Sequence, residues 1–377
     1  MALNGIKVVE MLGLAPGPFC GTVLADFGAT VTVVQKIEVT TLDVLSNGKK
    51  AISLNLKCPR GKQVFKKLME SSDVLIDTYR PGVLEKLGLG PQDLMKKNPK
   101  LIYARLTGYG QTGFYKDKAG HDLNYVAMSG VLSMLGKDGQ PPRAPINILA
   151  DLAGGSLSCV LGIILALFER SNSGKGQIID ASMTEGAAYV ANWIFKSKNL
   201  PIWMGEPGTS ILDGGYPSYQ TYKTKDNKFI AVAALEEKFH LMFLKGLNIS
   251  EEDYAVWEKN ECEKKFKEIF LTKTQQEWCN IFKELDACVT PVLDLENVKN
   301  HDLHLSRKSF YVDENNLVAP EPAPRLSRTP GSASGKLPSV KPGQHTIEIL
   351  TSLGYKKSEI QELINNNSVY AYKKSNL

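Results

Sequence analysis

The run Ile6-Lys7-Val8-Val9-Glu10-Met11-Leu12-Gly13-Leu14-Ala15-Pro16-Gly17-Pro18-Phe19-Cys20-Gly21-Thr22-Val23-Leu24-Ala25-Asp26-Phe27-Gly28-Ala29-Thr30-Val31-Thr32-Val33-Val34 decides the fold. Ile6 to Val9 reads as a strand and Pro16-Gly17-Pro18 as a break. Phe19 to Phe27 suits a buried helix closed by Gly28, and the β-branched Thr30 to Val34 a second strand. Further along, Pro59-Arg60-Gly61 opens a helix through Met69, Val74-Leu75-Ile76 gives a third strand, and Leu101 to Ala104 a fourth. Strand and helix alternating in this way predict an α/β fold, a parallel sheet wrapped by helices.

At 377 residues the chain exceeds what one hydrophobic core of about 250–300 residues holds, so two lobes are expected. The alternation loosens from Gly186 through the Gly- and Pro-rich stretch 205–217. Tyr219 to Tyr222 and Lys228 to Ala233 then flank the turn sequence Lys225-Asp226-Asn227. Helical segments follow around 237–247, 261–271 and 274–285, so the second lobe is α+β. Residues 318–342, rich in Pro and Ser, read as an extended connector, and 347–353 and 358–364 as closing helices. The expected division is a large domain over 1–185, a linker over 186–219, a small domain over 220–315, a return linker over 316–342, and C-terminal helices over 343–377.

Hydrophobic residues at 43% and charged residues at 23% exclude a disordered chain. A net charge of +5 is too small for a nucleic-acid binder of this length. The six cysteines form no Cys-x-x-Cys pair and no zinc spacing, so neither a disulfide scaffold nor a metal site is expected. The longest apolar run, Leu157 to Phe168, falls short of the roughly 20 residues that span a bilayer. The N-terminus reads as a first strand rather than a targeting segment, which predicts a soluble intracellular protein.

A nicotinamide-binding reading of the opening unit fails on its own residues. The first turn, Gly13-Leu14-Ala15-Pro16-Gly17-Pro18, is not Gly-x-Gly-x-x-Gly, and the second strand ends in Gln35-Lys36 where a ribose-binding acid is wanted. A lysine there suits a phosphate-bearing ligand. Lys36, Lys49, Lys50, Lys57, Arg60, Lys62, Arg80 and Arg105 gather in the same half, either as phosphate contacts or as a solvated face.

Of five histidines, His240, His301, His304 and His345 read as surface residues. His121, between Gly120 and a helix start, can expose its ring beside backbone N–H groups that face a ligand. The alternative is a plain helix start capped by Asp122 or Asn124. Asp151, in Ala150-Asp151-Leu152-Ala153-Gly154-Gly155-Ser156, is either an N-cap of the apolar helix or a carboxylate in a glycine-lined site that admits a ligand to the backbone.

These blocks together resemble a known family. Gly13 through Cys20, Leu24-Ala25-Asp26-Phe27-Gly28-Ala29, Ala119-Gly120-His121-Asp122, Ala150-Asp151, Gly174-Lys175-Gly176-Gln177, Leu212-Asp213-Gly214-Gly215 and Asp286 through Val292 are similar to the alpha-methylacyl-CoA racemases of the family III CoA-transferase superfamily. The resemblance implies an interlocked homodimer. Each chain would be a large Rossmann-like, CoA-binding lobe and a small lobe joined by long linkers, with active sites between subunits. It implies that His121 and Asp151 exchange the α-proton of a 2-methylacyl thioester on opposite faces, with Glu236 supporting the histidine. CoA contacts would fall on Lys36, on Leu54, Asn55, Leu56 and Lys57, and on Gly120, His121, Asp122, Leu123, Asn124 and Tyr125. Relatives mostly carry arginine at the position of Lys36, which loses a bidentate or stacking contact. A backbone N–H near Asp122 is the expected oxyanion donor. No metal or cofactor is expected beyond the CoA of the substrate itself.

The nearest rival is a CoA transferase with Asp151 as nucleophile, against which His121 argues. The other is a non-catalytic CoA-binding scaffold. The terminal Ser375-Asn376-Leu377 is similar to a peroxisomal address without its middle basic residue, so peroxisome, and also mitochondrion, are the expected compartments.

Overall fold

The computed structural model describes residues 1–37, 43–137, 139–203 and 205–372; Ser375-Asn376-Leu377 lies outside them. The chain divides into two compact units. One comprises Met1–Ser129, Pro145–Val190 and Lys299–Leu377, the other Gly130–Ala144 and Ala191–Val298.

The first unit is built on a seven-stranded sheet. Its strands are β1 (Lys7–Met11), β2 (Thr30–Gln35), β3 (Lys50–Leu54), β4 (Val74–Asp77), β5 (Ile102–Thr107), β6 (Ile178–Ser182) and a closing strand, Val369–Tyr370. The order is closing strand, then 3-2-1-4-5-6, that of doubly wound dinucleotide folds. All neighbours are parallel except the closing strand, which runs antiparallel to β3 with Val369 opposite Leu54. β4 and β5 are buried throughout, and β1 and β2 at all but their first residue, because helices cover both faces. That is why they read as continuous apolar runs. Phe65 and Met69 of the helix Pro59–Glu70 close one face with Leu350 and Ile360 of the C-terminal helices.

The sequence placed β1, β2 and β4 within a residue or two, ended β5 three residues short of Thr107, and missed β3, β6 and the closing strand. Pro16-Gly17-Pro18 is no break: it opens the helix Pro16–Asp26, with proline where the first helical N–H lacks a partner anyway. The apolar helix also begins earlier than expected. A π-helical segment, Ile148–Leu157, runs directly into the helix Ser158–Ser173. The 26-residue run is, by length and composition, apolar enough to cross a bilayer, unlike the stretch 157–168 on which the expectation rested. In this fold it packs on β5, β6 and the helix Met183–Val190. The packing against that helix is backbone to backbone: a Cβ on Gly186 would lie 1.8 Å from the Gly154 carbonyl oxygen.

The second unit carries a three-stranded antiparallel sheet, Tyr219–Lys223, Phe229–Ala233 and Val289–Pro291. Asn227 takes a left-handed conformation in the turn between the first two strands. Helices Glu237–Leu247, Lys259–Phe270 and Gln275–Phe282 pack on it around Tyr222, Phe243, Phe266 and Trp278.

Candidate active site

In a doubly wound sheet the crevice for ligands opens at the carboxyl ends of the strands, where the order reverses. Here that point lies between β1 and β4, and two cavities of the first unit open there. The smaller, about 460 Å³, is lined from the turns after β1 (Leu14, Gly17), β4 (Thr78, Arg80) and β5 (Gly108, Tyr109), and by His121, Asn124, Tyr125 and Asp151. The larger, about 1000 Å³, takes Gln35 and Lys36 from the end of β2, Leu54 through Lys57 from the end of β3, and Tyr79 through Leu87 in part. Arg80 lines both.

His121 is the exposed N-cap residue of the helix Asp122–Met128. Its backbone is held from two sides. The His121 N–H donates to Asn124 Oδ1 at 3.1 Å, and the Tyr125 hydroxyl donates to the preceding carbonyl, that of Gly120. Burial pushes the Tyr125 phenol up to about 12, so it stays a donor. Its ring occupies the space that side chains at Gly108 and Gly120 would fill. The N–H groups of Asn124 and Tyr125 both go to the His121 carbonyl, while that of Asp122, first in the helix, has no carbonyl one turn back.

Asp151 lies in the first turn of the π-helical segment, half-buried. It is not the N-cap, which is Asn147, whose amide donates to Asp151 Oδ2 at 3.4 Å. Burial raises the Asp151 carboxyl above the ordinary carboxylate range; the Asn147 bond opposes the rise, the charge of Asp122 adds to it, and His121 opposes it. Gly154 and Gly155, which one of the two sequence readings of Asp151 placed in a ligand site, line neither cavity. Gly154 admits the backbone of Ala187, and Gly155 packs against Met183 and the Ala150 carbonyl.

Asp122 faces neither cavity. Its side chain is buried and turned inward, where Oδ1 accepts the N–H of Ala150 at 2.8 Å and of Asp151 at 2.7 Å. One carboxylate thus ties the segment of His121 to that of Asp151. Among the described residues its buried Oδ2 has no hydrogen-bond partner.

The expected CoA contacts divide between the cavities. Lys36, Leu54, Asn55, Leu56 and Lys57 line the larger; Gly120, His121, Asn124 and Tyr125 line the smaller; Leu123 is exposed and lines neither. Leu54 is a core residue at 1% exposure, and the Asn55 carboxamide is spent on the Lys57 N–H and the Asn367 carbonyl. Glu236 lies in the second unit, exposed, immediately before the helix Glu237–Leu247.

The basic cluster resolves into unlike parts. Lys36, Lys57 and Arg80 line cavities. Lys49 is fully buried against Glu10 at 2.8 Å, Lys50 pairs with Glu348, Arg60 with Glu362, and Arg105 is buried beside Asp77. The four histidines expected at the surface, His240, His301, His304 and His345, are all half-buried; of these, His345 Nδ1 accepts the Ala51 N–H, and the His240 ring lies 4.6 Å from that of Tyr254. Burial lowers the pKa of His240 and His345. Sequence reasoning missed Asn147, Lys86, Lys116 and Lys118, which carry no motif of their own. Among the described residues no group of His, Cys, Asp and Glu could hold a metal.

Residues 3–346 match the family model described as CoA-transferase family III. The chain is 49% identical to an alpha-methylacyl-CoA racemase of Mus musculus over the full length of both, and 49% identical to that of Homo sapiens over 96% of each. Among solved structures, a CAIB/BAIF family protein from Brucella suis superposes with a TM-score of 0.77 over 93% of this chain and 98% of that one, at 22% identity.

Proposed function

We propose that this chain, which belongs to CoA-transferase family III, is an enzyme: a racemase that interconverts (2R)- and (2S)-2-methylacyl-CoA thioesters. The observation that carries the reading is the pairing of His121 and Asp151, delivered by separate segments to one cavity and joined through Asp122. Inverting a carbon by proton exchange needs a base on one face and an acid on the other. One group removes the α-proton, the thioester becomes an enolate, and the other group returns a proton to the opposite face. Each turnover leaves the two groups in exchanged protonation states, ready for the reverse epimer. Burial supports Asp151 in this role, because a carboxyl with a raised pKa holds a proton more readily.

The enolate oxygen is assigned to the unspent N–H of Asp122, a donor worth roughly 3 kcal/mol in a preorganised site. CoA runs from the larger cavity, past Arg80, to the thioester in the smaller one, with Lys36 and Lys57 toward its phosphates. Proton transfer of this kind needs no redox group or metal, and CoA enters only as part of the substrate. The working molecule is an interlocked homodimer, each chain a Rossmann-like large lobe and an α+β small lobe, with 186–219 and 316–342 as linkers. The exposed apolar residues Leu161, Leu165 and Phe168 of the long helix support burial against a second copy. The acyl groups are those of branched-chain fatty acids and bile-acid intermediates, in the peroxisome and also the mitochondrion.

The test is incubation of (2R)-2-methylacyl-CoA with the protein in D2O, followed by proton NMR. The expected result is loss of the α-proton with appearance of the (2S) ester and no free acid present. An untouched α-proton, with CoA passing to added acids instead, would replace the racemase by a transferase using Asp151.

A further inference from the structure

The wall of the larger cavity between β4 and the short helix Val83–Lys86 is a single segment, and Tyr79, Arg80, Val83, Lys86 and Leu87 all face the cavity from it. Leu84 buries its side chain in the core, and Tyr79 and Leu87 pack against it, so apolar contacts hold one side of the segment. Its helix is four residues, entered through the left-handed Gly82. Beneath it lies a charged group that takes no part in the chemistry above. Asp77, at the end of β4, is fully buried, and its Oδ1 accepts the Tyr79 N–H at 3.0 Å. Arg105, on β5, lies with Nε 3.6 Å from Asp77 Oδ2 and Nη1 2.7 Å from Glu85 Oε1. The guanidinium therefore reaches both ends of the cavity wall at once. Its Nε and Nη2 are buried without hydrogen-bond partners, so Glu85 is the one strong anchor of the guanidinium among the described residues.

We infer that Arg105 is a positioning residue: seated beside Asp77 and paired with Glu85, it fixes segment 78–87, and so sets the affinity of the larger cavity for the nucleotide end of its ligand. The inference rests on the CoA reading of that cavity. Neither Arg105 nor Glu85 lines it, so both act through Arg80, Val83 and Lys86. The fork of the guanidinium is what the position requires: Nη1 pairs with Glu85 while Nε lies beside Asp77, an arrangement that the point charge of a lysine ammonium does not reproduce.

Glu85→Gln separates positioning from simple electrostatics. Glu85 is partly exposed, so the variant folds, and it deletes a negative charge near a site for phosphates. Electrostatics alone makes CoA bind more tightly. A loosened wall makes it bind more weakly: KM for the acyl-CoA and Kd for free CoA rise about fivefold at unchanged kcat, and about tenfold or more for Arg105→Lys. Hydrogen exchange on the ligand-free protein gives a second readout, with faster exchange at Tyr79 and 83–88 and none elsewhere in the sheet. Tighter CoA binding by Glu85→Gln, or exchange unchanged in both variants, overturns the inference. Wild-type protein that binds no CoA overturns the CoA reading instead, and the exchange pattern still decides whether Arg105 holds the wall.

Discussion

Replacing Asp122 by alanine tests whether one buried carboxylate aligns the two reacting groups. The change strands the N–H groups of Ala150 and Asp151, which now donate to Oδ1 at 2.8 and 2.7 Å. Each orphaned N–H costs about 1–3 kcal/mol. Against that, the wild-type side chain buries a charge whose Oδ2 has no partner among the described residues, and removing it recovers part of the sum. The net loss of stability is about 2–4 kcal/mol. The kinetic effect is larger in proportion, because the N–H of Asp151 itself is released. A shift of its carboxylate by about 1 Å lowers the rate on the order of 100-fold. Asp122→Asn keeps an acceptor at Oδ1 but without charge, losing about 1 kcal/mol per bond, so its kcat falls about tenfold. The assay is α-proton exchange in D2O from each epimer, with KM expected to change little, since Asp122 lines neither cavity. In Asp122→Asn the acidic limb of the rate profile also moves to lower pH, because the charge that helps raise the Asp151 carboxyl is gone. Asp122→Ala protein that is folded and exchanges protons at the wild-type rate would refute the reasoning.

His121→Ala and Asp151→Asn should each abolish racemisation while calorimetry still detects free CoA; loss of CoA binding in either would make that residue part of the binding surface. Lys49→Met leaves Glu10 buried and unpaired, at a cost of about 3–5 kcal/mol in denaturant titrations near neutral pH. That cost should shrink as pH falls, because burial already raises the Glu10 carboxyl and protonation removes the stranded charge. Burial raises the Asp77 carboxyl from 3.8 to about 6, so its protonated form is the one the fold favours. Its contribution to stability is complete below pH 3.8 and is lost as pH rises through about 6, up to about 3 kcal/mol in all. Asp77→Asn should therefore flatten stability against pH over that window, and an unchanged slope would assign the proton uptake elsewhere.

The elements legible in the sequence were those whose own residues announce them. Val31 to Val34 is apolar or β-branched throughout because both faces of β2 are covered. β6 gave no such signal: it is an edge strand, Ile178 is half exposed, and the Asp180 carboxylate is spent on the Gln111 N–H. Its strand state comes from pairing with β5, which no local pattern encodes. Asp151 failed as an N-cap because Ile148, Leu149 and Ala150 extend the helix one turn upstream, to Asn147. The basic cluster misled for a related reason. Lys36 and Lys49 look alike in sequence, and only the fold sends one to a cavity and the other into an ion pair with Glu10. His121 and Asp151 were visible as candidates, but the link between them was not, since Asp122 meets N–H groups 28 and 29 positions along the chain.

That link bears on which of two chemistries the site performs. A transferase nucleophile must reach one carbonyl carbon, and a single well-placed carboxylate suffices for it. A racemase must keep two groups at a fixed separation with the α-carbon between them, and each must approach along its own face. Groups on one rigid helix would satisfy the first demand but not the second, because they would attack from the same side. Groups on independent loops would give two faces but no fixed spacing. His121 at a helix start and Asp151 in a π-helical turn come from different directions, while Asp122 makes the two segments one body. The burial of Asp122, otherwise an expense with its second oxygen unpartnered among the described residues, is accounted for by two-face proton exchange and has no counterpart in the demands of single-face attack.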